Sequence, residues 1–562
     1  MSGLSLPGTV AVIVVVTAMV VVAALYRPRR ALRDGARPVT PGSAAMALSD
    51  EYLSGALIVG FAGLVLVSGV HSLWLGVGAL AGLVLMVALV AAPLRRSGAY
   101  TLSDFTEWRL GSRKVRRAAS ACVCFAAWVY LLPQLQGVGL TLTVTAGLPQ
   151  WVGVAVVVGV VTLAVLSGRA RGMTAGQALQ FWAKLVAVTL PVVAVLIFAG
   201  AGHRPDPTRF AAPTDVRVTQ DVAIQVGAPL TVTATGRVDG RPRTGPVRLG
   251  PGRHVLGAGG RVRFPQNAVV PRAEPVRRPA DAPATGRAHT LYGVYSLLAA
   301  MILGTMGLPF LVLRLYTVPS ARGVRRTLLG ALGLLSLFLL LPALYGALGH
   351  AAAPETALTG WPDGTLLDLP NRLLPGPSAE IATALLVAGV FCAFVSGTTA
   401  IVLAVASTIS QCLLGGGVAS FRAGAVIALM VPLALMTVVG PVSAGVVVPY
   451  AFAIAAASLC PLLVLGVWWR RLTGIGAAAG MIAGGGATVA CFAGYLVGGP
   501  WPGWIADLVL HPALAAAPLG FLVMWGVSLL TARRAPDGTG VAMARMHLPE
   551  AVVGVATARR QS

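Results

Sequence analysis

Lysine is almost missing from this chain: among 562 residues only Lys114 and Lys184 carry it. Charge of either sign is scarce, with 11% charged residues and 18 Asp plus Glu in all. A soluble domain carries about a quarter charged residues. With 56% hydrophobic residues and a mean hydropathy of +0.82, this is a polytopic membrane protein whose surroundings are the lipid bilayer. The net charge of +24 comes from Arg in short loops, the usual topology signal. No basic stripe with interleaved aromatics accompanies it, which excludes nucleic acid as a partner. The six cysteines lie in or beside apolar runs, and Cys122 and Cys124 form C-x-C rather than C-x-x-C. Neither a disulfide framework nor a zinc site follows. The histidines are scattered, so no metal cluster is expected. No nucleophile–base pair or cofactor motif is present, so the chain does not read as an enzyme. The apolar stretch from Leu6 to Leu25 lacks a basic residue before it and is followed by Arg27, Arg29, Arg30 and Arg33. A signal peptide has the opposite polarity, so a retained helix is expected.

A spanning helix needs about 20 apolar residues. Thirteen candidates meet this, roughly 6–26, 43–70, 73–95, 118–141, 150–167, 177–201, 290–315, 326–349, 379–411, 421–441, 444–468, 474–498 and 512–532. Alternate connections hold Arg27 to Arg37, Arg95 to Arg117, Arg169 and Arg171, Arg314 to Arg326, Arg422, Arg470 and Arg471, and Arg533 and Arg534. The other set is nearly free of Arg. The positive-inside rule gives a plasma-membrane protein with its N-terminus outside and its C-terminus cytoplasmic. The Arg-rich stretch 203–289 falls outside, which long loops tolerate. Its alternating Asp221-Val-Ala-Ile-Gln-Val226 and Leu230-Thr-Val-Thr-Ala-Thr235, with turn formers at Asp239-Gly240 and Gly250-Pro-Gly252, read as a β-rich insert, with disorder as the alternative.

Inside the second candidate stand Asp50 and Glu51, side by side. A charged side chain at the bilayer centre costs roughly 2.5–3.5 kcal/mol on insertion scales, so such residues mark function. The neighbourhood Ser49-Asp-Glu-Tyr-Leu-Ser-Gly55 is polar and suits an unwound point. Five spans later Gly304-Thr-Met-Gly307-Leu-Pro309 interrupts a span of opposite sense. Two interrupted helices in mirrored positions match an inverted repeat, where unwound backbone binds ion and solute. Ser396-Gly-Thr-Thr399 puts hydroxyls in an otherwise apolar helix; they suit a hard cation or a bond to the preceding turn. Gln134 and Gln136 flank a proline kink and need partners in lipid. Lys184 lies within an apolar span and reads as an ion-pair partner or a snorkelling residue.

Tyr100-Thr-Leu-Ser-Asp-Phe105, Arg109-Leu-Gly-Ser-Arg113 and Leu131-Leu-Pro-Gln-Leu-Gln-Gly-Val-Gly139 resemble the sodium:solute symporter family. So do Glu51-Tyr-Leu-Ser54, Gly60-Phe-Ala-Gly63, the stretch Gly307 to Arg322 and Phe452 to Pro461, and the branch they resemble is the cation–acetate symporters. The resemblance implies an all-α polytopic fold with a LeuT-like core of two inverted five-helix repeats, about 13 transmembrane helices in all. The implied divisions are 1–40 with an extra helix, repeats at 41–202 and 290–472, the insert 203–289, two helices in 473–535 and a cytoplasmic tail 536–562. It implies cation-coupled symport of a small organic acid such as acetate, with sodium as the coupling ion. By position, the sodium ligands would be carbonyls near Asp50 and Leu53 with oxygens at Ser396 and Gly397, and Thr398 or Thr399 as a substitute hydroxyl. Solute binding or gating would fall to Glu51, Ser54, Gln134, Gln136, Gly304, Gly307 and Pro309. The chain departs from the family where a hydroxyl residue usually stands at 397 and a small residue at 50. Asp50 would then replace the lost ligand, or carry a proton as the coupling ion; Glu51 would serve as a gate or pair with an Arg. A non-transporting sensor or scaffold is the alternative of a different class. The sequence does not give the oligomeric state.

Overall fold

In a computed structural model, residues 40–166, 170–200, 209–275 and 290–548 are described, apart from positions 211, 219, 220, 319, 441, 499, 500, 502, 535 and 537. The expected span at 6–26, the Arg cluster after it and the tail beyond 548 lie outside the described residues.

The helices, in chain order, are α1 (Pro41–Tyr52), α2 (Gly55–Ser68), α3 (His71–Ser97), α4 (Leu102–Leu110), α5 (Arg113–Ala146), α6 (Gln150–Leu166) and α7 (Ala170–Gly200). After the insert come α8 (Thr290–Gly307), α9 (Pro309–Thr317), α10 (Ala321–Ala352), α11 (Thr365–Leu373), α12 (Gly376–Cys412), α13 (Val418–Val438) and α14 (Ala444–Trp468). The chain ends in α15 (Gly474–Val497), α16 (Gly503–Leu510), α17 (Ala513–Leu530) and α18 (Thr539–His547). Among the described residues ten segments are long and apolar enough to cross a membrane, and the bent pair α1 and α2 makes an eleventh. Of the expected span at 150–167 the described part is an apolar helix shorter than a full span, and residue 167 lies outside the described residues. The count of thirteen is therefore not reached among the described residues.

Burial ranks the helices. The window of α12 is 94% buried and that of α14 83%, against 28% for α13 and 33% for α17. The first pair forms the centre of the bundle. The second pair faces the surroundings, which a bilayer would supply. One continuous apolar core joins α1, α2, α5, α8, α10, α12 and α14. Small residues let the backbones meet: a Cβ on Gly304 of α8 would lie 2.4 Å from the Phe452 carbonyl oxygen of α14.

The Arg-bearing connections gather at one end. Arg95 donates to Val318 O, Arg96 to Met546 O, Arg109 to Gly466 O and Trp469 O, and Arg116 to Gln411 O. At this end α18 packs on α3 and α4, with Arg545 over the Trp108 ring.

At the other end stands a seven-stranded antiparallel sheet: β1 (Thr214–Arg217), β2 (Val222–Val226), β3 (Leu230–Val238), β4 (Arg241–Leu249), β5 (Gly252–Leu256), β6 (Arg261–Phe264) and β7 (Arg272–Pro275). The order is β1-β6-β3-β5-β2-β7, with β4 paired to β3. Asp239 and Gly240, with φ of 51° and 76°, make the two-residue turn between β3 and β4; two positive φ values are what a type I′ hairpin turn requires. The sheet has its own apolar core, which takes in Leu358 from the short helical turn Pro354–Thr359.

Candidate ion and solute site at the helix breaks

The first break follows from the sequence Leu53-Ser54-Gly55. Leu53 leaves helical geometry at φ −80°, ψ 67°, and Ser54 is extended and caps α2, its hydroxyl accepting from Leu57 N. The two halves meet at a bend of 59°. A terminated helix leaves its last carbonyls without partners, and its C-terminal end favours a cation. Gly55 allows the fit, because a Cβ there would lie 2.4 Å from the Phe394 ring.

The freed carbonyls point at Lys184 of α7. Its Nζ donates to Asp50 O at 2.8 Å, to Leu53 O at 3.2 Å and to Ser396 Oγ of α12 at 2.9 Å. Asp50 Oδ1 lies 2.6 Å from the same nitrogen, and both side chains are 0% exposed. The pair is placed by distance and charge rather than by hydrogen-bond direction, since neither Asp50 carboxylate oxygen takes part in a directed hydrogen bond. An ammonium has three donors and here finds three acceptors and a counter-charge. Asp50, Leu53 and Ser396 are thus brought together around a side-chain cation.

The other expected ligands lie differently. Gly397 faces the break so closely that a Cβ would be 2.6 Å from Ser54 Cβ and 2.9 Å from Gln134 Nε2. The Thr399 hydroxyl donates at 2.7 Å to Val395 O of its own helix and is not part of the cluster. Thr398 Oγ1 is buried without a partner.

Glu51 takes a separate partner. It forms a buried ion pair with Arg314 of α9 and accepts from Gln177 of α7 at 2.8 Å, while Arg314 also donates to Gln177 Oε1. The adjacent acids therefore diverge, as neighbours on a helix do, one toward Lys184 and one toward Arg314.

The second break lies between α8 and α9, where Leu308 is extended and Pro309 opens α9 without a side-chain cap. Gly304 and Gly307 pack against the backbone of α14 near Phe452 and Ala455. Between the two breaks sits an aromatic cluster: Tyr130 against Phe310 and Phe452, and Phe452 against Tyr52. Tyr52 bonds Thr305, and Tyr130 bonds Ser54 at 2.8 Å. Gln134 Oε1 accepts from Ala56 N, leaving its buried Nε2 without a partner. Gln136 instead bridges Gly440 O and Val442 N, which holds the α13–α14 connection. A small, partly open cleft on the Arg-bearing side is lined by Thr101, Leu102, Pro309 and Leu313. On the sheet side Asp363 accepts from Ala444 N at 2.7 Å and lies against Gly63 of α2. No group of metal-ligating His, Cys, Asp and Glu occurs among the described residues.

In the sequence Lys184 reads as an ion-pair partner or a snorkelling residue, and only packing places it at the break. The signal was there: it is one of two lysines and stands alone in an apolar span. Gln177, Tyr130 and Phe452 carried no comparable signal, since polar amides and aromatics are common in such helices.

The model of the sodium:solute symporter family matches residues 34–233 and 272–484. The chain is 25% identical over 529 residues to a monocarboxylic acid transporter of Corynebacterium glutamicum, covering 85% of this chain and 82% of that protein. It is 24% identical to the uncharacterized symporter YwcA of Bacillus subtilis, covering 88% and 87%. Among solved structures it is similar to a Na+-coupled sialic acid symporter in a substrate-bound outward-open state, at a TM-score of 0.60 and 12% identity, covering 94% of this chain and 98% of that one. The nucleobase–cation symporter Mhp1 is similar at a TM-score of 0.51 and 12% identity, covering 91% and 97%.

Proposed function

The chain belongs to the sodium:solute symporter family, and we propose that it carries a small monocarboxylate such as acetate across the cell membrane, coupled to a cation gradient. It is a multi-pass membrane protein and a transporter rather than an enzyme. The observation that carries the proposal is the first break, where Asp50 O, Leu53 O, Ser396 Oγ and Asp50 Oδ1 converge on one positive charge between three helices. An interrupted helix that turns polar backbone toward its neighbours is where secondary transporters build their binding sites.

The solute's place is the region between the two breaks. Ser54, Tyr130 and the free Gln134 Nε2 offer polar atoms, and the aromatic rings around them set the size. A carboxylate that accepts from Gln134 would satisfy the buried donor, and a short apolar tail would meet Phe310 and Phe452. Glu51 with Arg314, and Gly304, Gly307 and Pro309 at the second break, are then gating elements that hold α1 and α8 to their neighbours. The Arg-bearing end faces the cytoplasm and the sheet faces outward, with α18 on the cytoplasmic side.

The test is uptake of a labelled panel of short carboxylic acids by proteoliposomes, under an inward sodium gradient, an inward proton gradient and neither. Accumulation of at least one acid under one gradient is expected. A monodisperse protein that moves none of them would end this reading in favour of a non-transporting role.

A further inference from the structure

We infer that the Lys184 ammonium is a tethered cation standing where the family's sodium ion is expected, so that this chain binds no sodium at the first helix break. The inference deepens the reading of the chain as a cation-coupled carrier and rests on it.

The oxygens decide the matter. The carbonyls of Asp50 and Leu53 and the hydroxyl of Ser396 are the positions at which a sodium ion is expected, and each accepts a hydrogen bond from Lys184 Nζ. A sodium ion would need the same lone pairs and would share their shell with a fixed positive charge. Positions 397 and 399 do not restore a site. Position 397 has no side chain, and the Cβ contact with Ser54 at 2.6 Å leaves no room for one. Thr399 is committed to Val395 O. The chain has also acquired what a built-in cation requires: Asp50 supplies a carboxylate 2.6 Å from the ammonium, which makes the cluster neutral in the apolar interior.

The other groups facing this pair leave the assignment intact. Glu51 of α1 and Arg314 of α9 act on Asp50, but they are paired with each other. Cys392 of α12 lies nearby, and Tyr345 of α10 donates to Val188 O, one turn along α7. None of these groups competes for Lys184. Lys184 and Asp50 thus form one closed cluster across α1, α7 and α12, while Glu51 and Arg314 form another across α1, α7 and α9.

The experiment uses the purified full-length protein. Its thermal midpoint and its binding of radiolabelled sodium are measured in sodium chloride and in choline chloride at matched ionic strength. The wild type should show the same midpoint in both salts and no sodium binding that depends on Ser396. Lys184→Ala vacates the oxygen shell and should gain a sodium-dependent rise in midpoint. Adding Asp50→Asn should remove that gain. Saturable sodium binding by the wild type that disappears in Ser396→Ala overturns the inference, whether or not Lys184→Ala folds. In proteoliposomes, replacing sodium by choline should leave the wild-type uptake rate unchanged; a rate that falls with that replacement, through a dependence lost in Ser396→Ala, also overturns it. Absence of flux under every condition would sink the carrier reading alone, because the binding measurement needs no transport.

Discussion

At the residue scale the two adjacent acids have become two different devices. Asp50 belongs to the ammonium cluster, and Glu51 belongs to Arg314 and Gln177. The second pair is 6% and 8% exposed, so removing one member leaves a buried charge without its partner. Such a break typically costs about 3–5 kcal/mol, whereas exchanging both members for neutral groups of similar volume is often close to neutral. Arg314→Met alone should therefore lower the thermal midpoint in detergent sharply, and so should Glu51→Gln alone. The double variant Glu51→Gln/Arg314→Met should recover most of the loss. If the double variant is no better than the singles, the pair is not the reason for the penalty and Gln177 or another contact carries it.

At the element scale the two breaks are set by short local signals, and those signals were readable. Ser-Gly at 54–55 and Pro309 interrupt apolar runs, and helices stop there for reasons of capping and of the missing proline N–H. Alternation over 221–226 and 230–235 likewise marked the strands that run over Val222–Val226 and Leu230–Val238, and Asp239-Gly240 read as a turn. What was not readable is which helices meet at the breaks. Lys184 is 134 residues from Asp50, and Ser396 is 212 residues beyond Lys184, so only packing brings them together. For the same reason the missing hydroxyl at 397 read as a lost ligand, while the structure gives it a steric reason. The α8–α14 contact tests the packing directly. A Cβ on Gly304 meets Phe452 O and Cβ, which cannot swing away as a side-chain tip could. Overpacking of this kind costs about 1–3 kcal/mol. Gly304→Val should lower the thermal midpoint and cut uptake, while Gly333→Val, where a Cβ meets nothing within 4 Å, should leave both near wild type. Equal effects of the two variants would show that the close approach is not tight.

At the scale of the whole molecule the sheet and the helical core, among the described residues, are separate apolar units that meet at Leu358. The sheet's core contains Phe210, Ile224, Val232 and Phe264, none of which belongs to the helical core. The family model also passes over residues 234–271, which hold β4, β5 and β6. The seam is Leu358, which is 0% exposed and packs into the sheet's core. Five residues on, Asp363 ties the same connection to the start of α14 through Ser443 and Ala444 N, and to α2 at Gly63. The sheet therefore meets the helical core through the connection that Asp363 ties to α14 and α2. Replacing residues 212–275 by a short flexible linker should leave the helical core folded, with an unchanged midpoint, because the sheet's apolar core shares no residue with the helical one. It should also bare Leu358 and loosen the Pro354–Gly364 connection, raising its cleavage in limited proteolysis read by mass spectrometry. Leu358→Ser in the full chain should reproduce that cleavage with the sheet still in place. If both variants resist cleavage as the wild type does, Asp363 alone holds the connection and the sheet is an independent appendage. If the midpoint falls when the sheet is removed, the two cores are energetically one.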